Sequence, residues 1–279
     1  MQTQYTPSRV GFYGGGNMSR ALIGGMLSST SDFEPEQIWV YDRNLYKNQS
    51  LSADYGVKVA AHGNELATKA DILIIAVKPQ GFKTAVEQIQ AALTQHRPLI
   101  ISVAAGIRAS SIEQWLDGDH AVVRAMPNTP SLINQGATGL YANKFVTPPQ
   151  RAVAEQIMQS VGLVAWVEND ADIDAVTALS GSGPAYFMLL IRALIEAATA
   201  AGLTAEAAEQ LACQTAAGAA RLVQHGDRSL DQLIEDITSP KGTTEQAILQ
   251  LKRDQHDQII QRAFEAARIR AEQLSESTN

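Results

Sequence analysis

Short apolar runs alternate with helical stretches as far as Val167. The runs Arg9–Tyr13, Gln37–Asp42, Val57–Ala60, Ile72–Val77, Leu99–Val103 and Ala121–Ala125 predict six strands. "ADILIIAV" and "PLIISVAA" are almost wholly apolar, as strands covered by helices on both faces must be. Right-handed crossovers between such strands give an open parallel sheet. Thr138–Tyr141 and Val164–Val167 predict a further short pair, flanking a helix at Pro149–Val161.

Beyond Asp170 the strand signal stops. "PAYFMLLIRALIEAATAAGL" and "TAEAAEQLACQTAAGAARLVQ" predict two long helices, since Ala favours the helix and lets neighbours approach closely. Leu189, Leu190, Ala193, Leu194, Ala197 and Ala198 form one apolar stripe. Glu265–Ser275 predicts a charged amphipathic helix at the end. The fold class expected is therefore α/β, a doubly wound sheet followed by an all-helical domain. The change of pattern divides the chain into domains 1–168 and 169–279. The stripe is wider than one small domain covers, which points to a homodimer through these helices; an ordinary monomeric helical domain is the alternative.

Composition narrows the function. The chain has 279 residues, 45% hydrophobic, with a formal charge of −7 and no basic run, which argues against nucleic acid as a partner. Its one cysteine, Cys213, excludes an intramolecular disulfide framework and a thiolate zinc site, so no metal is expected. Cys213 falls in an Ala-rich helical pattern and reads as a buried thiol. "MQTQYTPSRV" has no apolar signal core, and no run approaches the ~20 apolar residues that span a bilayer. The expectation is a soluble cytoplasmic protein with no membrane partner.

"RVGFYGGGNMSRALIGGML" carries the chemistry of the first domain. Gly14-x-Gly16-x-x-Ser19 follows a strand and opens a helix. Gly14 permits the tight turn, Gly16 leaves room for a pyrophosphate against bare backbone, and Ser19 need only be small. The helix N-terminus then faces the phosphates. The second strand ends "WVYDRN". An acid there, Asp42, accepts from a ribose 2′-OH and favours NAD, whereas the next residue, Arg43, can pair with the 2′-phosphate of NADP. The residues leave both cofactors open. "AVKPQ" and "SVAAG" end strands four and five at the ligand-binding edge of such a sheet, and "MPNTP" ends strand six.

Taken together, "GFYGGGNM", "AVKPQ", "SVAAG", "RAMPNTP", "SGSGPAY" and "SPKGTT" resemble, in order and spacing, the Δ1-pyrroline-5-carboxylate reductases, from about Val10 to about Ala271. The resemblance implies a Rossmann domain followed by a helical dimerisation domain. It implies reduction of a cyclic imine to L-proline with NADPH, NADH being possible, by dimers often assembled into decamers. The implied cofactor residues are Tyr13, Gly14, Gly15, Gly16, Asn17, Met18, Asp42, Arg43, Asn64, Ala76, Val77, Lys78, Pro79, Val103, Ala104 and Ala105. The small-molecule substrate falls to Ser239, Gly242 and Thr243 at its carboxylate and to Thr244, the catalytic candidate, at its ring nitrogen. Thr177 and Ser180 lie beside it, and Asp170 and Asp236 match positions of polar ligand contacts in some members.

The turn Thr238–Thr244 suits an anion site made from backbone. Two registers are open: Ser239 as N-cap with Pro240 at the first helical position, or Thr243 as N-cap with Gln246 completing a capping box. In "SGSGPAY", Gly183 is read as a turn and Pro184 as the first helical residue; capping and ligand contact are both open for its serines. No strong acid is demanded, because a protonated imine already accepts hydride. His62, His96, His120, His225 and His256 all read as exposed or helix-end residues.

Lys241 departs from the family's usual glycine and would be strained at positive φ. Two other functions fit these residues less well. A β-hydroxyacid dehydrogenase needs a lysine base on the first long helix, and "PAYFMLLIRALIEAATAAG" has none. A non-catalytic NAD(P) sensor would have no use for the carboxylate turn.

Overall fold

The computed structural model of the chain describes residues 9–28 and 33–277. The N-terminal stretch expected to lack a signal core, up to Ser8, lies outside them. By internal contacts the chain forms two compact units, 1–182 with 267–279, and 183–266.

The first unit is an eight-stranded sheet in the order β3-β2-β1-β4-β5-β6-β7-β8. The strands are β1 Val10–Tyr13, β2 Ile38–Tyr41, β3 Lys58–Val59, β4 Ile72–Ile75, β5 Leu99–Ser102, β6 Val122–Met126, β7 Gly136–Ala142 and β8 Gly162–Trp166. The helices are α1 Asn17–Met26, α2 Leu45–Tyr55, α3 Gly63–Lys69, α4 Phe82–His96, α5 Ala109–Leu116, α6 Pro148–Gln159 and α7 Asp172–Val176. Alternate residues of one strand face opposite ways. Accordingly Val10, Phe12, Ile72 and Ile74 join one buried cluster, and Tyr13, Leu73 and Ile75 join the other. Both faces are covered, as the continuous apolar runs require.

The sheet is parallel except at one junction. β1 to β6 pair parallel as expected, and β7, whose direction the sequence left open, pairs antiparallel with β6, Arg124 lying opposite Tyr141. The short Thr129–Ile133 helical turn reverses the chain there without a crossover helix. The reversal of strand order falls between β1 and β4, where doubly wound sheets open a crevice at their carboxyl ends.

Gly183 does not turn the chain, as the sequence suggested. Thr177–Gly181 is a π-helical turn, closed by Ser182 N–H donating to the Thr177 carbonyl. It runs on into α8 (Gly183–Ala200). Such turns concentrate at functional sites. The second unit continues with α9 (Ala205–His225), α10 (Leu230–Asp236) and α11 (Thr243–Arg253), and α12 (His256–Glu276) returns to the first unit. There Ser275 Oγ donates to Asp174 Oδ1 at 3.1 Å, and Asp174 also pairs with Arg108.

In the second unit α8 packs on α9, yet many large apolar side chains stay exposed. Phe187 is 67% exposed and Met188 62%. The helical run Asp172–Ala200 is long and apolar enough, by length and composition, to cross a membrane, contrary to expectation. Cys213 is exposed as well, not buried. An apolar stripe that awaits a partner has the same periodicity as one already covered, so sequence could not tell them apart. His120 is also misjudged: it is 1% exposed, just ahead of β6, and neither ring nitrogen has a hydrogen-bond partner.

Candidate active site

Val10–Tyr13 is fully buried and ends at a glycine turn that no other residue could make. Gly14 has φ +113°, and a Cβ there would lie 2.5 Å from the Ala76 carbonyl oxygen. The turn therefore presses directly on the end of β4. Ser19 closes it from the helix side, its Oγ donating to the Gly14 carbonyl. Gly16 is the N-cap of α1 and has no side-chain cap. No atom lies within 4 Å of the Cβ it lacks, so the first turn of α1 faces open space. That is the cradle a diphosphate needs.

A cavity of about 640 Å³ opens along this edge. It gathers Tyr13, Gly14, Gly16, Asp42, Arg43, Ala76, Val77 and Lys78 from the expected cofactor residues. Gly15 stands beside it, and Asn17 and Met18 begin α1. Pro79 starts a short 3-10 turn after Lys78. Val103, Ala104 and Ala105 follow β5, and Asn64 is an exposed residue in the first turn of α3. None of these last five lines the cavity.

Several lining residues escaped the sequence reading: Lys47 of α2, Gln80, and Thr84 and Gln88 of α4. The i, i+4 spacing of Thr84 and Gln88, beside the buried stripe of α4, was the one available signal. Gln88 Oε1 accepts from Tyr13 Oη at 3.2 Å. Burial, with Tyr41 beside it, pushes the Tyr13 hydroxyl above its ordinary pKa, so it stays a neutral donor.

Asp42 is held on every side. Asn48 grips its backbone, with Oδ1 accepting from Asp42 N–H and Nδ2 donating to its carbonyl, both at 2.8 Å. Its carboxylate accepts from Gly15 N–H at 2.8 Å, Asn44 N–H at 2.8 Å and Lys47 Nζ at 3.3 Å. Burial works to raise this carboxyl, but those hydrogen bonds outweigh it and hold it below its ordinary value.

The SPKGTT turn takes neither of the expected registers. Gly242 is the N-cap of α11 and Thr243 the first helical residue. Gly242 N–H bonds the Ser239 carbonyl at 3.0 Å, and a Cβ on Gly242 would lie 2.8 Å from that oxygen. Glu245 reaches back to accept from Lys241 N–H at 2.9 Å, with Lys241 at φ +60°. This reciprocal bond replaces the Thr243–Gln246 box. No side chain caps Gly242, so the first N–H groups of α11, from Thr243 and Thr244, are offered outward.

The π-helical turn carries Thr177 and Ser180, whose hydroxyls donate to the Ile173 and Val176 carbonyls. Asp170 is engaged by Arg124 and by Ala109 N–H, and Asp236 pairs with Arg228. Among the described residues no cluster of His, Cys, Asp and Glu could hold a metal.

Comparison with known proteins shows the family. The family described as pyrroline-5-carboxylate reductase dimerisation matches residues 170–274, and the one described as NADP oxidoreductase coenzyme F420-dependent matches residues 9–106. A pyrroline-5-carboxylate reductase of Pseudomonas aeruginosa is 39% identical over 96% of this chain and 97% of its own. The solved structure of a pyrroline-5-carboxylate reductase from Coxiella burnetii superposes with a TM-score of 0.92 at 42% identity, over 97% of this chain and 99% of that one. That of Plasmodium falciparum pyrroline carboxylate reductase, with NADP bound, gives 0.84 at 28% identity, over 96% and 98%.

Proposed function

The chain belongs to the pyrroline-5-carboxylate reductase family, and on that footing we propose that it reduces the C=N bond of Δ1-pyrroline-5-carboxylate with NADPH, giving L-proline. The observation that carries the cofactor reading is the glycine turn of β1 opening on a cavity that also holds Arg43, Lys47 and Lys78. The residues present fit a phosphorylated dinucleotide: open backbone at Gly16, an uncapped helix, and cations within the same lining. When bound, NADPH supplies the hydride.

The chain's own task is positioning. Ser239, Gly242 and Thr243 hold the substrate carboxylate at the uncapped start of α11, where backbone N–H groups and the helix dipole favour an anion. Thr244 hydrogen-bonds the ring nitrogen. The protonated imine gains hydride at carbon, the C=N electron pair moves to nitrogen, and the amine keeps its proton. No histidine, cysteine or lysine need move a proton.

The segment 170–274 is a dimerisation domain, and the exposed apolar side chains of α8 give it a face to bury. The homodimer buries that face against a second copy, and dimers assemble further into decamers. The Arg192–Glu196 pair on α8 suits a water-side interface better than lipid. The working location is the cytoplasm. The test mixes pure protein with NADPH and pyrroline-5-carboxylate. Disappearance of the reduced-nicotinamide band with formation of an equal amount of proline supports the assignment, and an unchanged band refutes it.

A further inference from the structure

Strand β2 ends in an acid followed by a base, and the two side chains have different surroundings. Asp42 is pinned by its backbone to the buried Asn48. Its Oδ2 faces the Gly15 N–H and Lys47 Nζ, and its Oδ1 faces the Asn44 N–H. Three donors therefore already occupy the carboxylate, and one of them is a cation. Arg43 is exposed and lines the same cavity. The charged lining comprises one acid, Asp42, against Arg43, Lys47 and Lys78. An acid that repels a 2′-phosphate must present uncompensated charge to it; this one does not.

We propose that Asp42 is a positioning residue that ties the β2–α2 turn to the glycine turn, and that Arg43 is the specificity determinant, selecting an adenosine 2′-phosphate. By clamping Gly15 and Asn44 together, Asp42 fixes the peptide on which Arg43 stands. Arg43 then offers a planar, permanently charged donor pair to a phosphate dianion. The rule that an acid at the end of β2 means NAD is overridden here because that acid is spent on the protein's own backbone.

The proposal rests on a dinucleotide occupying this cavity, and binding can test it without turnover. Calorimetric titration compares adenosine 2′,5′-bisphosphate with adenosine 5′-monophosphate on the intact protein. The native protein should bind the bisphosphate about tenfold or more tightly than the monophosphate. Arg43→Ala, on an exposed side chain, should erase most of that ratio and leave monophosphate affinity within about twofold. Asp42→Asn should weaken both ligands by the same factor and keep the ratio. An Arg43→Ala ratio equal to the native one overturns the proposal. So does a ratio about tenfold higher in Asp42→Asn, which would make Asp42 a reader of the ribose. Failure of the native protein to bind either probe overturns the cofactor reading itself.

Discussion

Asn128 donates its Nδ2–H to the carbonyl oxygen of Ser180 at 2.9 Å. In a regular helix that carbonyl would accept from the residue four places on, which is Pro184 and has no N–H. Asn128 therefore supplies the missing donor from the MPNTP loop, and its Oδ1 accepts from Ala137 N–H at 2.9 Å. One side chain holds the π-helical turn against β7. Asn128 is 8% exposed, so water replaces these bonds poorly. Asn128→Ala should destabilise the protein by about 1–3 kcal/mol, read as a lower urea midpoint. An unchanged midpoint would remove Asn128 from this role.

Lys241 sits at φ +60°, where an L-residue costs about 1–2 kcal/mol and glycine nothing. Part of the gain from glycine is lost to the greater freedom of the unfolded chain. Lys241→Gly should therefore raise stability by roughly 0.5–1 kcal/mol. Chemical denaturation of the two proteins side by side checks this; a lower midpoint for the glycine variant would contradict the strain.

His120 makes stability depend on pH. Burial, aided by the charge of Arg97 and opposed by Asp119 and Glu113, lowers its pKa below the ordinary value. The unfolded chain then binds the proton more readily than the folded one. Stability is full above the unfolded value of about 6.5 and falls as pH drops through the lower folded value. Thermal midpoints should stay level above neutrality and decline below about pH 6.5. His120→Phe should flatten that decline, and an equal decline in the variant would assign it elsewhere.

Thr244 and Cys213 separate chemistry from scaffold. Loss of a hydrogen bond to a charged nitrogen costs about 1.5–3 kcal/mol, so Thr244→Ala should lower kcat/KM by about 10–100-fold. Cys213→Ala should stay near the native rate. Steady-state kinetics on both decides, and equal activities would exclude Thr244 from the mechanism.

Most of the first unit was legible. Runs such as Ile72–Ile75 are apolar throughout because both faces of the sheet are covered, and the glycine turn declares itself through Gly14. What stayed hidden depends on partners distant in sequence. The antiparallel β7 looks like any other strand, since side-chain alternation carries no direction. "SGSGP" reads as a break, yet the helical run continues, with Asn128 donating to the Ser180 carbonyl where Pro184 cannot. The exposure of Phe187, Met188 and Cys213 was illegible because a face waiting for a second copy has the pattern of a core. In the SPKGTT turn, Glu245 outcompetes Gln246 by reaching Lys241 N–H, a choice set by the backbone at Lys241. Gly14 and Gly16, which line the cavity, were readable as a motif. Lys47, Thr84 and Gln88 were not, because polar residues on helices usually meet only water.

The most direct measurement is turnover of pyrroline-5-carboxylate by the pure protein with NADPH and, in parallel, NADH. The expected result is loss of the reduced-nicotinamide absorbance matched mole for mole by L-proline, with NADPH preferred. Intact NADPH binding with no absorbance change and no proline would contradict the account.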